Sequence, residues 1–202
     1  MMLRGMRSDF MRAMVPQTEA DLRLVEAQLD ISRKQTAPTS YSLPFTAIVV
    51  AAANFYWVPT IRLLLWPLAV TLLSAIAEII YLQFLKNDDH SAKSVRYRAK
   101  MAVTMAAILV AAWCAMVAVI WVPGVPGNHL LILFLLCASL SGWVTGGAVY
   151  LPMLYVTLPI YLVAMTVVPM VAGETIDAIL GWLCIGFLVM MAAQASGNYE
   201  TS

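Results

Sequence analysis

The chain has 202 residues, of which 62% are apolar and only 11% charged, and its mean hydropathy of +0.83 lies outside the range of water-soluble globular domains. A formal net charge of +1 gives no general bias toward nucleic acid, and the three cysteines, Cys114, Cys137 and Cys184, sit in apolar segments without CxxC or metal spacing and read as small core residues. Between Met101 and Gly173 there is no Asp, Glu, Lys or Arg, a run that a bilayer accommodates and a soluble core does not. Because backbone in lipid is satisfied only within helices or closed barrels, and the period-two alternation of a barrel is missing, the expected fold is all-α integral membrane: six transmembrane helices in three hairpins, preceded by a cytosolic amphipathic helix.

Residues 1–42 are polar and mixed in charge, with none of the basic start and apolar run of a cleavable signal peptide. Thr18 followed by Asp21 predicts a capped helix start. Leu22, Val25 and Leu29 then recur at helical spacing, giving an amphipathic helix over about 18–34. Its narrow stripe suits the membrane surface, the protein's own cytosolic loop, or a short coiled-coil seam with a second copy. The first span is expected at about 43–58, bracketed by Pro44 and Pro59 and ending in the aromatic cluster Phe55, Tyr56 and Trp57, which suits a membrane interface. The second, about 63–85, follows a tight turn carrying Arg62. A basic loop, Lys86 to Lys100, leads to the third span, about 101–122, whose Ala107, Ala111 and Ala115 predict a face for close helix contact. The turn Pro123 to Asn128 precedes a fourth span at about 129–146. A fifth, about 150–171, holds Pro152, Pro159 and Pro169, with Pro159 as the expected hinge. The sixth, about 176–194, follows a turn with Glu174 and Asp177, and 195–202 form a short cytosolic tail.

Six cations lie in the amino-terminal segment and five in the second-to-third loop, leaving Arg62 alone on the other side, so eleven of the twelve Lys and Arg residues share one face. The positive-inside rule then places both termini in the cytoplasm of a bacterial inner membrane.

Few residues in the spans carry chemistry. Glu78 is the one acid that interrupts a span, and an intramembrane carboxyl group is either paired, with Arg98 or Lys100 in reach, or kept neutral, or used for sensing or proton-linked work. His129, after a Pro/Gly turn, suits an interfacial cap or a sensor of external pH. His90 falls in the basic loop and is expected to be exposed. Gly142 and Gly146 form a GxxxG that favours helix packing within the chain or across a dimer, or opens a groove for a ligand. Trp113, Trp143, Tyr150, Tyr155 and Tyr161 are packing aromatics or the lining of a cavity for an apolar or aromatic molecule. No HExxH, GxSxG, Walker loop or carboxylate pair is present, so no catalytic, metal or cofactor residue is expected and the chain is expected not to be an enzyme.

The second half follows a layout: the Pro/Gly turn with His129, the helix end SGWVTGGA, Tyr150 with Leu151-Pro152, then Leu158-Pro159, and a last helix after an acidic turn. Together with the hairpin led by LLLW, Leu63 to Trp66, and the basic loop, this resembles the six-helix membrane input region found ahead of histidine kinase or GGDEF/EAL modules in proteobacterial signalling proteins. The resemblance implies a sensory, signal-transducing role. Such regions run on into an output domain, whereas this sequence stops at Ser202, which implies an output carried by another polypeptide or by a longer protein. Its expected partners are the lipid bilayer, a second copy in a homodimer or a larger membrane complex, and a cytosolic signalling protein, with no nucleic acid. Two other functions fit the residues: an accessory or assembly subunit of a membrane complex, and a small transporter or proton-linked carrier leaning on Glu78.

Overall fold

The computed structural model describes the backbone of residues 18–85, 91–147, 150–171 and 175–200, and leaves the side chains of 36–40, 84–85, 146–147, 175–176 and 195–200 outside the description. Among the described residues every element is helical: α1 (Glu19–Ala53), α2 (Thr60–Leu85), α3 (Ala92–Cys114), α4 (Met116–Ile120), α5 (Pro126–Gly147), α6 (Leu151–Leu162), a π-helical segment (Val163–Val167), α7 (Val168–Val171) and α8 (Thr175–Glu200).

The first correction concerns α1. Sequence spacing predicts an amphipathic helix and a separate first span starting at Pro44, whereas one uninterrupted helix runs from Glu19 to Ala53. It begins with a reciprocal cap: Thr18 Oγ1 accepts from the Asp21 amide, and Asp21 Oδ2 accepts from the Thr18 amide, both at 3.1 Å. Pro44 removes one ladder bond without ending the helix, which stops instead at Asn54, whose side-chain amide donates to the Val50 carbonyl at 2.8 Å. The stripe of α1 packs on its own protein: Val25 is buried with Val95, Ala99 and Val103 of α3 and with Tyr150 and Met153, and Leu22 and Leu29 flank it.

Five helical rods are long and apolar enough to cross a membrane: Thr60–Gln83, Ala92–Ile120, Pro126–Thr145, Leu151–Val171 and Asp177–Gln194. Tyr41–Ala53, the apolar end of α1, is shorter. Their outward faces are apolar. Leu64, Leu65, Leu68, Leu72, Ile76 and Ile79 project from α2, and Trp182, Leu183, Val189 and Met190 from α8, all exposed. Burial therefore sorts residues by packing, not by polarity. On α3 the buried positions are Val95, Ala99, Val103, Ala106, Val110, Trp113 and Cys114, while Ala111, expected on the contact face, points outward.

Neighbour relations also differ from three sequential hairpins. The first and third expected hairpins do pair, α1 with α2 and the π-helical segment and α7 with α8, but the second does not: α3 packs most closely on α6 and α5 on α8, so the backbones of α3 and α5 stand apart. Cys137 of α5 and Cys184 of α8 face each other across their contact. At the turn between α4 and α5, Pro123 and Gly124 occupy the two central positions, Gly124 has φ 78°, and the Val125 amide donates to the Val122 carbonyl at 3.3 Å. The expected hinge, Pro159, lies inside α6, and the α-helical register changes only at Val163–Val167. That position has a reason. Pro169 lacks the amide that the Met165 carbonyl would use in α geometry, so the α ladder is already interrupted at this level.

Candidate functional site

Two places concentrate the polar side chains of the helical bundle. One joins the end of α1, the α4–α5 turn and the start of α8. There Asn128, fully buried, donates from Nδ2 to Asn54 Oδ1 at 2.7 Å and to the Ile120 carbonyl at 3.1 Å, while its Oδ1 accepts from the Val122 amide at 2.9 Å. Next to it His129 and Asp177, each 1% exposed, meet at 2.7 Å between Nδ1 and Oδ1. The second ring nitrogen, Nε2, lies 2.7 Å from the Val122 carbonyl, and the indole of Trp121 stacks on the imidazole at 3.9 Å and 9°.

This geometry fixes the proton count. A carbonyl only accepts, so Nε2 carries a hydrogen. The Nδ1–Oδ1 contact then holds a second proton, as an imidazolium facing a carboxylate or as a carboxylic acid donating to the imidazole. In both cases each ring nitrogen is engaged, which leaves His129 no lone pair for a metal or substrate. The expected interfacial cap is thus a buried tie, and its partner Asp177 was assigned only to a turn in the sequence. The detectable signal was an acid in the first turn of an otherwise apolar helix, where a carboxylate is favoured by the helix dipole.

The other place is an open-mouthed cavity of about 540 Å³ lined by α1, α2, α3, α5 and α6. It exists because α3 and α5 do not close on each other. Trp113, Trp143 and Tyr161 line it, as one reading of the sequence expects, whereas Tyr150 packs in the cluster beside Val25, and Tyr155 is not on the wall. At the inner end Trp113 Nε1 donates to Ser139 Oγ at 3.0 Å, Tyr161 Oη donates to the same oxygen at 3.2 Å, and Ser139 Oγ donates to the Leu136 carbonyl at 3.0 Å. Trp143 Nε1 donates to Thr157 Oγ1 at 2.8 Å. The aromatic N–H and O–H groups are therefore used within the protein, and the rings are what the cavity is offered.

Gly142 belongs to this wall. No atom lies within 4 Å of a β-carbon built there, so it is not a close-packing site within the chain; the surroundings of Gly146 fall outside the described residues, as does His90. A tighter approach is found at Gly181 of α8, whose β-carbon would meet Met170 Cγ at 3.2 Å and the Thr166 carbonyl at 3.6 Å.

Charges gather at the opposite end of the cavity. Glu26 of α1 pairs with Arg98 of α3 at 2.9 Å, Asp30 pairs with Lys34 at 2.7 Å, and the Arg33 guanidinium lies 4.0 Å over the Tyr81 ring. Arg98 is thereby committed to Glu26 and is not the partner of Glu78; Lys100 is exposed. Glu78 lines the cavity and forms no ion pair or hydrogen bond among the described residues. Among those residues, no three His, Cys, Asp or Glu side chains converge as a metal site.

Comparison with known protein families, curated proteins and solved structures finds no match to this chain.

Proposed function

We propose that this chain is a six-span sensory module of a bacterial inner membrane, non-catalytic and with both termini cytoplasmic, which binds a small molecule in its cavity and passes occupancy to its cytosolic arm. The sixth span in this reading is the apolar end of α1. One observation carries the proposal: the helix that walls the cavity mouth with Glu26, Asp30 and Arg33 is the same unbroken α1 that continues to Ala53 beside α2. An α-helix of 35 residues is about 52 Å long and transmits a tilt at one end to the other. A cavity of this size lies within the usual range for small-molecule sites, and its aromatic wall with a few charged groups at the rim matches their usual composition. Homodimerisation and a separate cytosolic signalling partner belong to the same reading and rest on the sequence resemblance.

Occupancy can be imitated without knowing the ligand. Gly142→Leu adds a side chain where the wall is open. Hydrogen exchange of residues 19–35, followed in nanodiscs, should change in that variant relative to wild type. Identical protection in the two, with the fold intact, would remove the coupling between cavity and arm.

A further inference from the structure

Two polar groups that α2 places on the cavity wall lack a partner among the described residues. Ser74 is 4% exposed and its hydroxyl makes no hydrogen bond; Glu78, one turn later on the same face, is the unpaired acid. An orphaned hydroxyl and an orphaned carboxyl group facing one apolar space are costly unless something fills it.

Depth along the helices orders the rest. Tyr81, carrying the Arg33 guanidinium, sits at the rim. Trp66 of α2 contacts Trp113 at 5.5 Å between ring centroids, which marks the level of the inner end. Glu78 lies twelve residues from Trp66, about 18 Å along the helix. The cavity is thus long, with Glu78, which has no ion pair among the described residues, near the mouth and Trp113, Trp143 and Tyr161 beyond. The other rim charges are accounted for: Arg98 by Glu26, Lys34 by Asp30, and Arg33 by its place over Tyr81, with no ion pair to Glu78.

We infer that the cavity takes a lipophilic monovalent cation, an amine or onium centre bearing an aromatic or alkyl body up to about 18 Å long. The positive centre lies against Glu78, with the Ser74 hydroxyl one turn deeper, and the apolar body extends toward the tryptophans, whose ring faces attract a cation and bury its hydrocarbon equally well. An anion of the same shape meets Glu78 with like charge and finds no free donor at the inner end, where the Trp113, Trp143 and Tyr161 hydrogens are already spent. This inference rests on the reading of the cavity as a ligand site.

A matched pair of probes separates the two ideas. Tetraphenylphosphonium and tetraphenylborate share size and shape and differ in sign of charge, and binding of each to the full chain in nanodiscs is measured by calorimetry and by quenching of tryptophan fluorescence. The expected result is saturable binding of the phosphonium alone, weakened about tenfold or more in Glu78→Gln, as loss of a charged contact implies. Gly142→Leu should block it. Equal binding of both ions, or a Glu78→Gln affinity unchanged from wild type, overturns the cation inference; if Gly142→Leu still blocks binding, the cavity reading stands. Saturable binding of neither probe to the folded protein removes the cavity reading and the inference with it.

Discussion

At the scale of single residues the molecule's costliest decision is to bury His129 against Asp177. Within an apolar bundle a buried pair is not itself a large stabiliser, but removing one member leaves the other without compensation, at about 3–5 kcal/mol. Here the cost has two parts. His129→Phe strands Asp177 Oδ1 beside an Oδ2 that already has no partner among the described residues, and it releases the Val122 carbonyl. Asp177→Leu leaves an imidazole with one unsatisfied nitrogen. Each single variant should therefore unfold markedly earlier in detergent, and the double variant His129→Phe with Asp177→Leu should recover part of the loss. A double-mutant cycle on thermal unfolding measures this. Additive effects of the two changes would mean that the 2.7 Å contact contributes no coupling. His129 was visible in the sequence as the only such residue in a long uncharged run. Its partner was not, because forty-eight positions separate them and two helix starts must meet before either has a role.

Among elements, local signals were read well and contacts between elements were not. The Thr18–Asp21 box and five of the six apolar runs are properties of adjacent residues and are found where spacing puts them, while the turn expected over Pro123–Asn128 is shorter, because Pro126 already opens α5. Which face of a helix packs is a different matter. In a soluble protein polarity marks the outside, but here both sides of α2, α3 and α8 are apolar, so Ala111 and Gly142 looked like contacts and are open, while Gly181 was overlooked. The difference yields a prediction. Gly181→Leu drives its side chain into Met170 and toward the Thr166 backbone, beside the π-helical turn, and should destabilise the packing of α8 by about 1–3 kcal/mol. Gly181→Ala asks only that the flexible Met170 side chain shift by a few tenths of an ångström and should cost far less. Unfolding midpoints of the two variants decide it; equal values would mean that α8 does not rest on this contact.

For the whole molecule, the cavity is the feature no sequence pattern encodes, since it is the space left where α3 turns to α6 and α5 to α8. Its residues were available, Trp113, Trp143, Tyr161 and Glu78 among them, but their convergence depends on helix partners that uniform apolar surfaces do not specify. Charge is the one long-range signal that such a surface leaves readable, and it bears on orientation. Arg23, Arg33, Lys34, Lys93, Arg96, Arg98 and Lys100 lie in the amino-terminal half of α1 or the first turns of α3, and the Glu26–Arg98 pair holds these two segments together, so the fold itself gathers the cations at one end. The α1–α2 turn lies at the opposite end, with Tyr56 93% exposed beside Phe55 and Trp57. If the basic end faces the cytoplasm, a cysteine placed at Tyr56 reacts from outside intact cells with a membrane-impermeant maleimide, while one placed at the exposed Ser91 reacts only after the membrane is opened. The native cysteines, two buried and one half-buried, need to be replaced first. Labelling in the reverse order would invert the molecule and put the cavity mouth outside, so that the ligand proposed for it would have to reach Glu78 from the external side.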